Sequence, residues 1–442
     1  MSNTIIVIDG GGRGAALVHA YSKSPHVDRI IAIPGNDLMQ INTDKEVVTY
    51  QNLKTTSVKE IVEIAIKENV SLVDVAQDNA VAIGLVDRLT QEGILTVGPT
   101  KEAGQIEWDK AWARDFGVRH NLPQPVFQSF NSVEAGIEFI KSHPAKASRD
   151  KKWFIKAAGL AEGKGVLPAH SNEEAIEKVK ELNTNFKQSA ETYLIEEWIE
   201  GEEFSAFIVA DGTEFQILGF AQDHKRVNDG DEGPNTGGMG CSTPPLVINS
   251  NIQIQISKIF EATIDGLIIE GRPYTGVLYL GGIIKLGTNE VYIIEFNSRW
   301  GDPEAEVIIP SLKGDFYDLS QQIGWRKLSN EVIQTDGRAR VAIAAASKGY
   351  PGDYSRVKGK EIRGLEDVLK QKGITIYGAG VKKDGDKYFA SGGRLFYIVA
   401  DGKDVIEARK KAYDAMSLVS IEGDGLHYRR DIGYRDIDRI QT

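Results

Sequence analysis

Hydrophobic positions in the first hundred residues follow two different periods. Short apolar, β-branched runs predict strands, and stretches with apolar residues three or four apart predict helices between them. The predicted strands cover residues 4–8, 30–33, 72–76 and 94–97, and the predicted helices cover residues 15–22, 58–68 and 80–92. Alternation of this kind forms a parallel sheet covered on both faces. Residues 1–103 are therefore expected to be an α/β domain whose ligands lie at the carboxyl ends of the strands.

A glycine-rich turn at residues 10–14 follows the first predicted strand. Such a turn can hold a phosphate on its backbone N–H groups where a helix begins. A dinucleotide site would also need an acidic residue at the end of the next strand, where this chain has Ile33, Pro34, Gly35 and Asn36. A tight turn without a ligand is the third interpretation, and the pattern leaves the choice open.

Residues 153–166 combine a strand with a lysine-containing glycine turn. The strand carries Lys156, and the turn holds Gly159, Gly163, Lys164 and Gly165. This pattern is typical of a flexible flap that closes over a polyphosphate, although a hairpin with a solvated lysine has the same pattern. It is not a Walker loop, because neither Ser nor Thr follows Lys164 and no helix begins there.

Two further segments suit a nucleotide or another anion. At residues 192–205 a strand ends in a short hinge whose backbone can pair with an adenine edge, and Glu203 beyond it can hold ribose hydroxyls, unless its charge is merely solvated. Residues 221–240 are rich in charge and glycine without hydrophobic periodicity, which predicts a long functional loop. In that loop Lys225 and Arg226 suit an anion, whereas His224 is better explained as a hydrogen-bonded loop residue than as a catalytic acid or base.

The stretch 291–304 carries the strongest candidate for a metal site. Its first four residues read as a buried strand. Side chains two apart on a strand share a face, so Glu295 and Asn297 project together. They supply only oxygen ligands, which a small hard cation that also binds phosphates prefers. Arg299 follows on the same face; the alternative is a strand whose polar end only reaches solvent.

The remaining pattern predicts a connector and a C-terminal unit. A helix over residues 101–122 carries Lys110 and Arg114. Beyond about residue 324, strands are predicted at 339–345, 375–378 and 395–400 and a helix at 405–416, which together indicate a compact α+β cap.

Composition narrows the class of protein. The chain has 442 residues, of which 41% are hydrophobic and 26% charged, so about three soluble globular domains are expected. Its formal net charge of −11 argues against nucleic acid as the main partner. The single cysteine, Cys241, excludes an intramolecular disulfide and fits a reducing cytosol. An immediate first strand leaves no room for a signal peptide, and no apolar run is long enough to span a membrane. A cytoplasmic protein is expected.

An ordered series of motifs resembles the ATP-grasp ligases, and within them the phosphoribosylamine–glycine ligases of purine synthesis. The motifs lie at residues 98–103, 155–166, 222–226, 233–240, 274–279, 295–306, 347–354, 391–394 and 428–433. The resemblance implies a pre-ATP-grasp N-terminal parallel-sheet domain, a two-lobed ATP-grasp domain and a small C-terminal α+β domain. The corresponding ranges are residues 1–103, 104–192 for the first lobe with its linker helix and flap, 193–329 for the second lobe, and 330–442.

The resemblance also implies residue roles and cofactors. It places ATP with Mg²⁺, or Mn²⁺ as an alternative, in a cleft between the two lobes. Lys110 and Lys156 would contact the nucleotide phosphates, with the flap at Gly159, Gly163, Lys164 and Gly165 above them. Glu196, Trp198 and Ile199 would form the adenine hinge, and Glu203 would hold the ribose. Glu295 and Asn297 would be the metal ligands, Arg299 and Asp302 would lie near the reacting carboxylate, and Lys225 would lie on its glycine and phosphate side.

The implied reaction joins glycine to 5-phosphoribosylamine through a glycyl phosphate, giving glycinamide ribonucleotide, ADP and phosphate. The substrates are small molecules, with no nucleic acid or membrane involved and a monomer or weak homo-oligomer expected. Two alternatives remain, namely a related ligase that uses a different amine and, less favoured, a non-catalytic nucleotide-binding protein.

Several positions depart from the family pattern. Arg13 is followed by Gly14, Ala15 and Ala16 instead of Glu-His-Ala, and residues 76–80 differ from the usual Gly-Pro-Glu segment. The flap has Ala158 in place of an aspartate, and Trp108 with Asp109 replaces small residues before Lys110. The first two changes lie at strand ends that should face the amine, which leaves the identity of the amine less well supported than the ATP site.

Overall fold

Residues 3–142, 152–161, 165–329 and 331–441 are described by a computed structural model of the chain. The N-terminal part contains strands β1 (Thr4–Ile8), β2 (Arg29–Ala32), β3 (Glu46–Thr49), β4 (Leu72–Val75) and β5 (Thr96–Val97). Its helices are α1 (Gly12–Ser22), α2 (Val58–Lys67), α3 (Asp78–Ala82) and α4 (Leu85–Gln91). The five strands are parallel, as the alternating pattern predicted, in the order β3-β2-β1-β4-β5, and the edge strand β3 was not among the four predicted strands.

One predicted helix of this part is broken. Residues 80–92 were expected to form a single helix, but α3 and α4 are separate because Gly84 has a φ of +83° at the start of α4. This left-handed conformation costs glycine little and interrupts the helical hydrogen bonds.

A connector and the first lobe follow. The predicted connector helix is also divided, into α5 (Gln105–Trp108) and α6 (Lys110–Arg119), because the extended backbone of Asp109 separates the two. Asp109 caps α6 by accepting a hydrogen bond of 3.0 Å from the Trp112 N–H group. The lobe contains β6 (Phe127–Phe130), α7 (Val133–Ser142), β7 (Trp153–Ala157), β8 (Val166–Ala169), α8 (Asn172–Phe186) and β9 (Tyr193–Glu197). Its antiparallel sheet has the order β6-β9-β7-β8.

The second lobe is built on long antiparallel strands. They are β10 (Gly201–Asp211), β11 (Phe215–Asp223), β12 (Arg226–Asn228), β13 (Glu232–Asn235), β14 (Gly240–Thr243), β15 (Thr275–Lys285) and β16 (Val291–Asn297). The helices are α9 (Ser250–Ile269), α10 (Ala305–Ile308) and α11 (Phe316–Gly324). The predicted long loop at residues 221–240 is wrong in detail, since it contains the small hairpin β12–β13. That hairpin is largely exposed and therefore shows no hydrophobic alternation.

The C-terminal part holds the remaining elements. They are β17 (Ala339–Ser347), β18 (Glu361–Arg363), α12 (Leu365–Leu369), β19 (Ile374–Gly378), β20 (Val381–Asp384), β21 (Lys387–Ala390), β22 (Arg394–Gly402), α13 (Val405–Met416), β23 (Ser420–Ile421), β24 (Leu426–His427) and α14 (Tyr434–Gln441). Short 3₁₀ helices lie at Met39–Asn42, Lys187–Ala190, Asp229–Asp231 and Ile309–Ser311.

One nine-stranded sheet joins the second lobe to the C-terminal part. Its main path is β16-β15-β10-β11-β14-β17-β22-β19, with β24 paired to β17 beside it. The junction is the antiparallel pair β14–β17, and every residue of β17 is buried. The C-terminal part therefore stands in a fixed position relative to the second lobe. The predicted α/β fold with these three parts is confirmed.

Across the described residues, no helix combines the length and the apolar character that crossing a membrane would require.

Candidate functional site

A cleft of about 1070 Å³ lies between the first and second lobes. Most of the site residues predicted from the sequence line it. They are Lys110, Lys156, Gly165, Glu196, Trp198, Ile199, Glu203, Lys225, Glu295, Asn297, Arg299 and Asp302. Gly159 lies behind the lining, with its N–H group donating to Ser189 O at 2.9 Å. Gly163 and Lys164 lie outside the described residues.

Lys156, on β7 of the first lobe, is buried against a carboxylate. Its Nζ lies 2.6 Å from Glu196 Oε2, and Arg114 binds the same carboxylate through Nε at 2.7 Å and Nη2 at 3.0 Å. Burial raises the pKa of Glu196, but Arg114 and Lys156 outweigh burial and lower that pKa to about 2. The Glu196 side chain is thus an ionised partner of two cations, and its backbone lies within the sheet, between Phe127 and Phe154.

The hinge predicted at residues 198–199 connects the two lobes. It joins β9 of the first lobe to β10 of the second. The Trp198 ring stacks on Phe154 with the ring centroids 4.4 Å apart. The backbone N–H group of Trp198 donates to Lys152 O at 3.3 Å. The indole is therefore held against the first lobe, beside the cleft that it lines.

Glu295 and Asn297 lie together at the end of β16. A bulge places Ile294 out of register, since Gly281 pairs with Glu295 while Gly282 pairs with Ile293. Both side chains line the cleft. Burial raises the pKa of Glu295, but Lys225, Lys110 and Lys156 outweigh it and hold the pKa below its ordinary value. Asn297 accepts from Arg299 Nη2 at 3.2 Å, and its buried Nδ2 has no partner among the described residues.

These donors fit a small divalent cation. Glu295 is an ionised carboxylate, and Asn297 Oδ1, which accepts one hydrogen bond from Arg299 Nη2, keeps a second lone pair, so both side chains supply oxygen ligands. Arg299 is fixed beside them by Glu107, whose Oε1 lies 3.0 Å from Arg299 Nη2. Glu107 also accepts from the Ser298 N–H group at 2.8 Å, so one buried carboxylate orders the turn after β16.

Lys225 also lines the cleft. Its Nζ is 3.4 Å from Glu203 Oε2, the carboxylate predicted to hold ribose. Burial lowers the pKa of Lys225, but Glu203 and then Tyr279 outweigh burial and raise it above its ordinary value. The cation therefore faces the cleft in its charged form.

Asp302 connects three parts of the chain. The Arg13 N–H group at the start of α1 donates to its carboxylate, Arg394 Nη2 lies 3.1 Å from Oδ1, and the Tyr397 hydroxyl donates to the same oxygen. The carboxylate occupies the N-terminus of α1, where the glycine turn at residues 10–14 would otherwise hold a phosphate. Of the three interpretations of that turn, the structure favours the tight turn without a ligand.

His224 is a hydrogen-bonded residue without a catalytic role, as its sequence context favoured. It is buried, and the Gly433 N–H group donates to its Nε2 at 3.0 Å. Burial, followed by Arg435 and Arg429, lowers the pKa of His224 to about 3. The imidazole is therefore neutral and serves as a hydrogen-bond acceptor.

Some lining residues were not predicted from the sequence. Glu107, Arg114, Asp223 and Glu304 all belong to this site or support it. Burial and the neighbouring Glu304 raise the pKa of Asp223 well above its ordinary value. Arg114 lies four residues after Lys110 on α6, and this spacing was the only local signal for it. Asp223 and Glu304 lie within the motifs at residues 222–226 and 295–306, although neither had a predicted role of its own. Glu107 gave no local signal, because its partners at residues 298 and 299 lie far away in the sequence.

Comparison with known proteins assigns the family. The N domain of phosphoribosylglycinamide synthetase matches residues 3–107, its ATP-grasp (A) domain residues 108–305, and its C domain residues 340–435. Phosphoribosylamine–glycine ligase of Streptococcus pneumoniae (strain ATCC BAA-255 / R6) is 36% identical over 98% of this chain and 99% of its own length. The chain belongs to the phosphoribosylglycinamide synthetase family. The resemblance inferred from the motifs is confirmed.

Two more similarities place the chain within the phosphoribosylglycinamide synthetase family. The crystal structure of phosphoribosylamine–glycine ligase from Thermotoga maritima superposes with a TM-score of 0.79 at 30% identity, covering 97% of this chain and all of that one. The trifunctional purine biosynthetic protein adenosine-3 of Gallus gallus is 36% identical over 99% of this chain. The chain spans only 42% of that larger protein.

The two departures at the N-terminal strand ends meet at Asp9. A Cβ atom at Gly14 would lie 2.8 Å from both Asp9 Cβ and Oδ1, so no larger side chain fits there without rearrangement. Gln77, in the second departing segment, donates to Asp9 Oδ2 at 2.9 Å, and Arg13 Nε donates to the same oxygen at 2.7 Å. The two changes thus form one locally consistent arrangement around Asp9.

We expect Glu196→Gln to destabilise the protein strongly, because it leaves Arg114 and Lys156 buried without their shared anion. The free energy of unfolding at pH 7 should fall by about 3–5 kcal/mol in urea titrations. In the native protein this carboxylate stabilises the fold above its ordinary pKa of 4.5, and the contribution is lost as pH falls towards about 2. Glu196→Gln should lack that part of the pH dependence.

The matched control is Glu63→Gln. Glu63 is 64% exposed and lies 3.9 Å from Lys59 Nζ, so its loss should change stability by less than about 1 kcal/mol. Equal stability of the two variants would show that the buried ion pair is not needed.

Proposed function

We propose that this chain is an ATP-dependent carboxylate–amine ligase that joins glycine to 5-phosphoribosylamine, giving glycinamide ribonucleotide, ADP and phosphate in purine biosynthesis. The observation that carries the proposal is a convergence of charges at the end of β16. Lys156 Nζ of the first lobe and Arg114 Nη2 lie 3.5 and 2.7 Å from the carbonyl oxygen of Ile294. The next residue is Glu295, so phosphate-binding cations and metal-binding oxygens meet at one place.

The chemistry follows from this arrangement. A carboxylate is a poor acylating group, so an oxygen of glycine first attacks the γ-phosphorus of ATP, and ADP leaves. The amine of phosphoribosylamine then attacks the carbonyl carbon of glycyl phosphate, and phosphate leaves with the C–O bond electrons. No enzyme nucleophile is required, in agreement with the complete burial of Cys241.

The chain's own residues bind, orient and neutralise charge. Lys110 and Lys156 bind the phosphates. Trp198 and Ile199 of the hinge contact the adenine, and Glu203 accepts hydrogen bonds from the ribose hydroxyls. Arg299 and Lys225 face the transferring phosphoryl group, while Asp302 fixes the turn beside it. Glu295 and Asn297 would hold Mg²⁺, or Mn²⁺ in its place, which supplies further neutralisation of phosphate charge.

The same proposal includes the partners, the compartment and the oligomeric state of the enzyme. Its partners are small molecules, its compartment is the cytoplasm, and it acts as a monomer or weak homo-oligomer. The acyl phosphate hydrolyses readily, so the reaction requires a cleft from which water is excluded.

A second candidate is a ligase that joins an amino acid to a different amine. It is favoured by the arrangement at Asp9, where Gly14 and Gln77 replace the family's usual residues. The ATP chemistry would be the same in both cases.

The test compares amines directly. Purified protein with Mg·ATP and glycine should release ADP only when phosphoribosylamine, made in the assay from ribose 5-phosphate and ammonia, is also present. Mass spectrometry should detect glycinamide ribonucleotide in amounts equal to the ADP. ADP release with another amine but not with phosphoribosylamine would select the second candidate, and no ADP release with any amine would overturn both.

Glu295→Ala should abolish turnover while the fold is retained, because the ionised metal ligand is lost. We expect kcat to fall by about 100-fold or more, measured as ADP release at saturating ATP. Glu290→Ala is the control, since Glu290 lies on the exposed turn before the same strand and should leave kcat unchanged. Full activity in Glu295→Ala would refute the metal assignment.

A further inference from the structure

The last residues of the C-terminal part lie against the nucleotide cleft. We call His427–Gln441 the C-terminal segment. His427 Nε2 is 2.9 Å from Val227 O, and the Arg430 N–H group donates to Asp229 Oδ1 at 2.7 Å. The segment therefore runs along the second lobe and ends beside the opening of the cleft.

A fully buried arginine fixes the first half of this contact. The side chain of Arg429 is 0% exposed, and its Nη1 donates to Asp231 Oδ1 at 2.7 Å and to Arg226 O at 3.1 Å. Its other nitrogens bind Asp431, whose Oδ2 accepts from the Gly230 N–H group at 2.8 Å. Arg429 thus determines the course of the hairpin β12–β13.

Asp231 receives three groups from the same segment. Besides Arg429, the Tyr434 hydroxyl donates to its Oδ2 at 2.9 Å, and Arg435 forms an ion pair with that oxygen. Burial raises the pKa of Asp231, but Arg435 and Arg429 outweigh it and keep the carboxylate ionised. Asp231 and Arg435 both line the cleft.

The helix α14 reaches the ribose side of the cleft through Arg439. Arg439 Nη2 forms an ion pair with Glu202 Oε2, and Glu202 Oε1 accepts from Gln222 Nε2 at 2.8 Å. Gln222 also donates to Glu203 O at 2.9 Å. Arg439 and Glu202 line the cleft next to Glu203, the carboxylate assigned to the ribose hydroxyls.

Arg439 and Gln222 hold the Glu202 side chain in one orientation. The Glu203 side chain is 52% exposed and follows directly on the strand β10 that this contact holds. Lys225 Nζ lies 3.4 Å from Glu203 Oε2. Lys225 directly precedes the hairpin β12–β13, which Arg429 contacts through Asp231. The contact of Arg439 thus ends on Glu202, one residue before the proposed ribose contact. The contact of Arg429 ends on the hairpin β12–β13.

We propose that the C-terminal segment is part of the ATP site, with Arg439 and Arg429 as positioning residues that align Glu203 and the β12–β13 hairpin for the ribose and phosphates. This inference rests on the proposed nucleotide site but not on the identity of the amine.

The test is the variant Arg439→Gln. The Arg439 side chain is 33% exposed, so it can be replaced without opening the core. We expect the KM for ATP to rise about three- to tenfold, while kcat and the KM for glycine change by less than about twofold. Arg439 Nη1 also lies 3.5 Å from the buried Asp436 Oδ1, so Arg439→Lys, which keeps the positive charge facing both carboxylates, should keep the KM for ATP within about twofold of the native value. Arg363→Gln is the control, because Arg363 is 66% exposed and forms its ion pair with Glu361 at the protein surface.

Calorimetric titration with Mg·AMP-PNP repeats the comparison without any amine or turnover, which separates this proposal from the assignment of the reaction. An unchanged affinity in Arg439→Gln would overturn the proposal. Equal losses for all substrates together with a lower melting temperature would also overturn it, since they would show a purely structural role.

Discussion

Cations that line the cleft are paired with resident carboxylates, and one of them, Lys156, is buried. Lys156 pairs with Glu196, Arg299 with Glu107, and Lys225 with Glu203, at 2.6, 3.0 and 3.4 Å. A cation taken out of water without a partner would lose its charge or destabilise the fold. These pairs therefore allow positive charge to be held in the cleft where we propose that phosphates bind. They also fix each side chain before a ligand arrives, which reduces the reorganisation needed for catalysis.

The same constraint explains how both lobes and the two terminal parts of the chain contribute to one site. The first lobe supplies Lys156, the second supplies Glu295 and Asn297, and the C-terminal part supplies Arg394 and the segment that contacts Asp231. The continuous sheet through β14 and β17 sets the distance between the last two. Asp302 then joins the N-terminal part, because its carboxylate caps α1 and binds Arg394.

Local patterns predicted what depends on neighbouring residues. The helix at Val405–Met416 has the predicted bounds, and Glu295 and Asn297 share the cleft as the strand period indicated. The broken helix at Gly84 and the hairpin at β12–β13 were missed, because one backbone conformation and an exposed pairing leave no hydrophobic signal. Arg114 and Glu196 are separated by 82 residues, so only the folded chain reveals that they meet. The residue roles and domain boundaries remain predictions.

The position of the metal tests the central claim most directly. Crystals grown with Mn²⁺, AMP-PNP and glycine should show an anomalous peak between Glu295 and Asn297, in contact with phosphate oxygens and beside Lys156. A manganese peak elsewhere, or a nucleotide bound outside the cleft between the lobes, would contradict it.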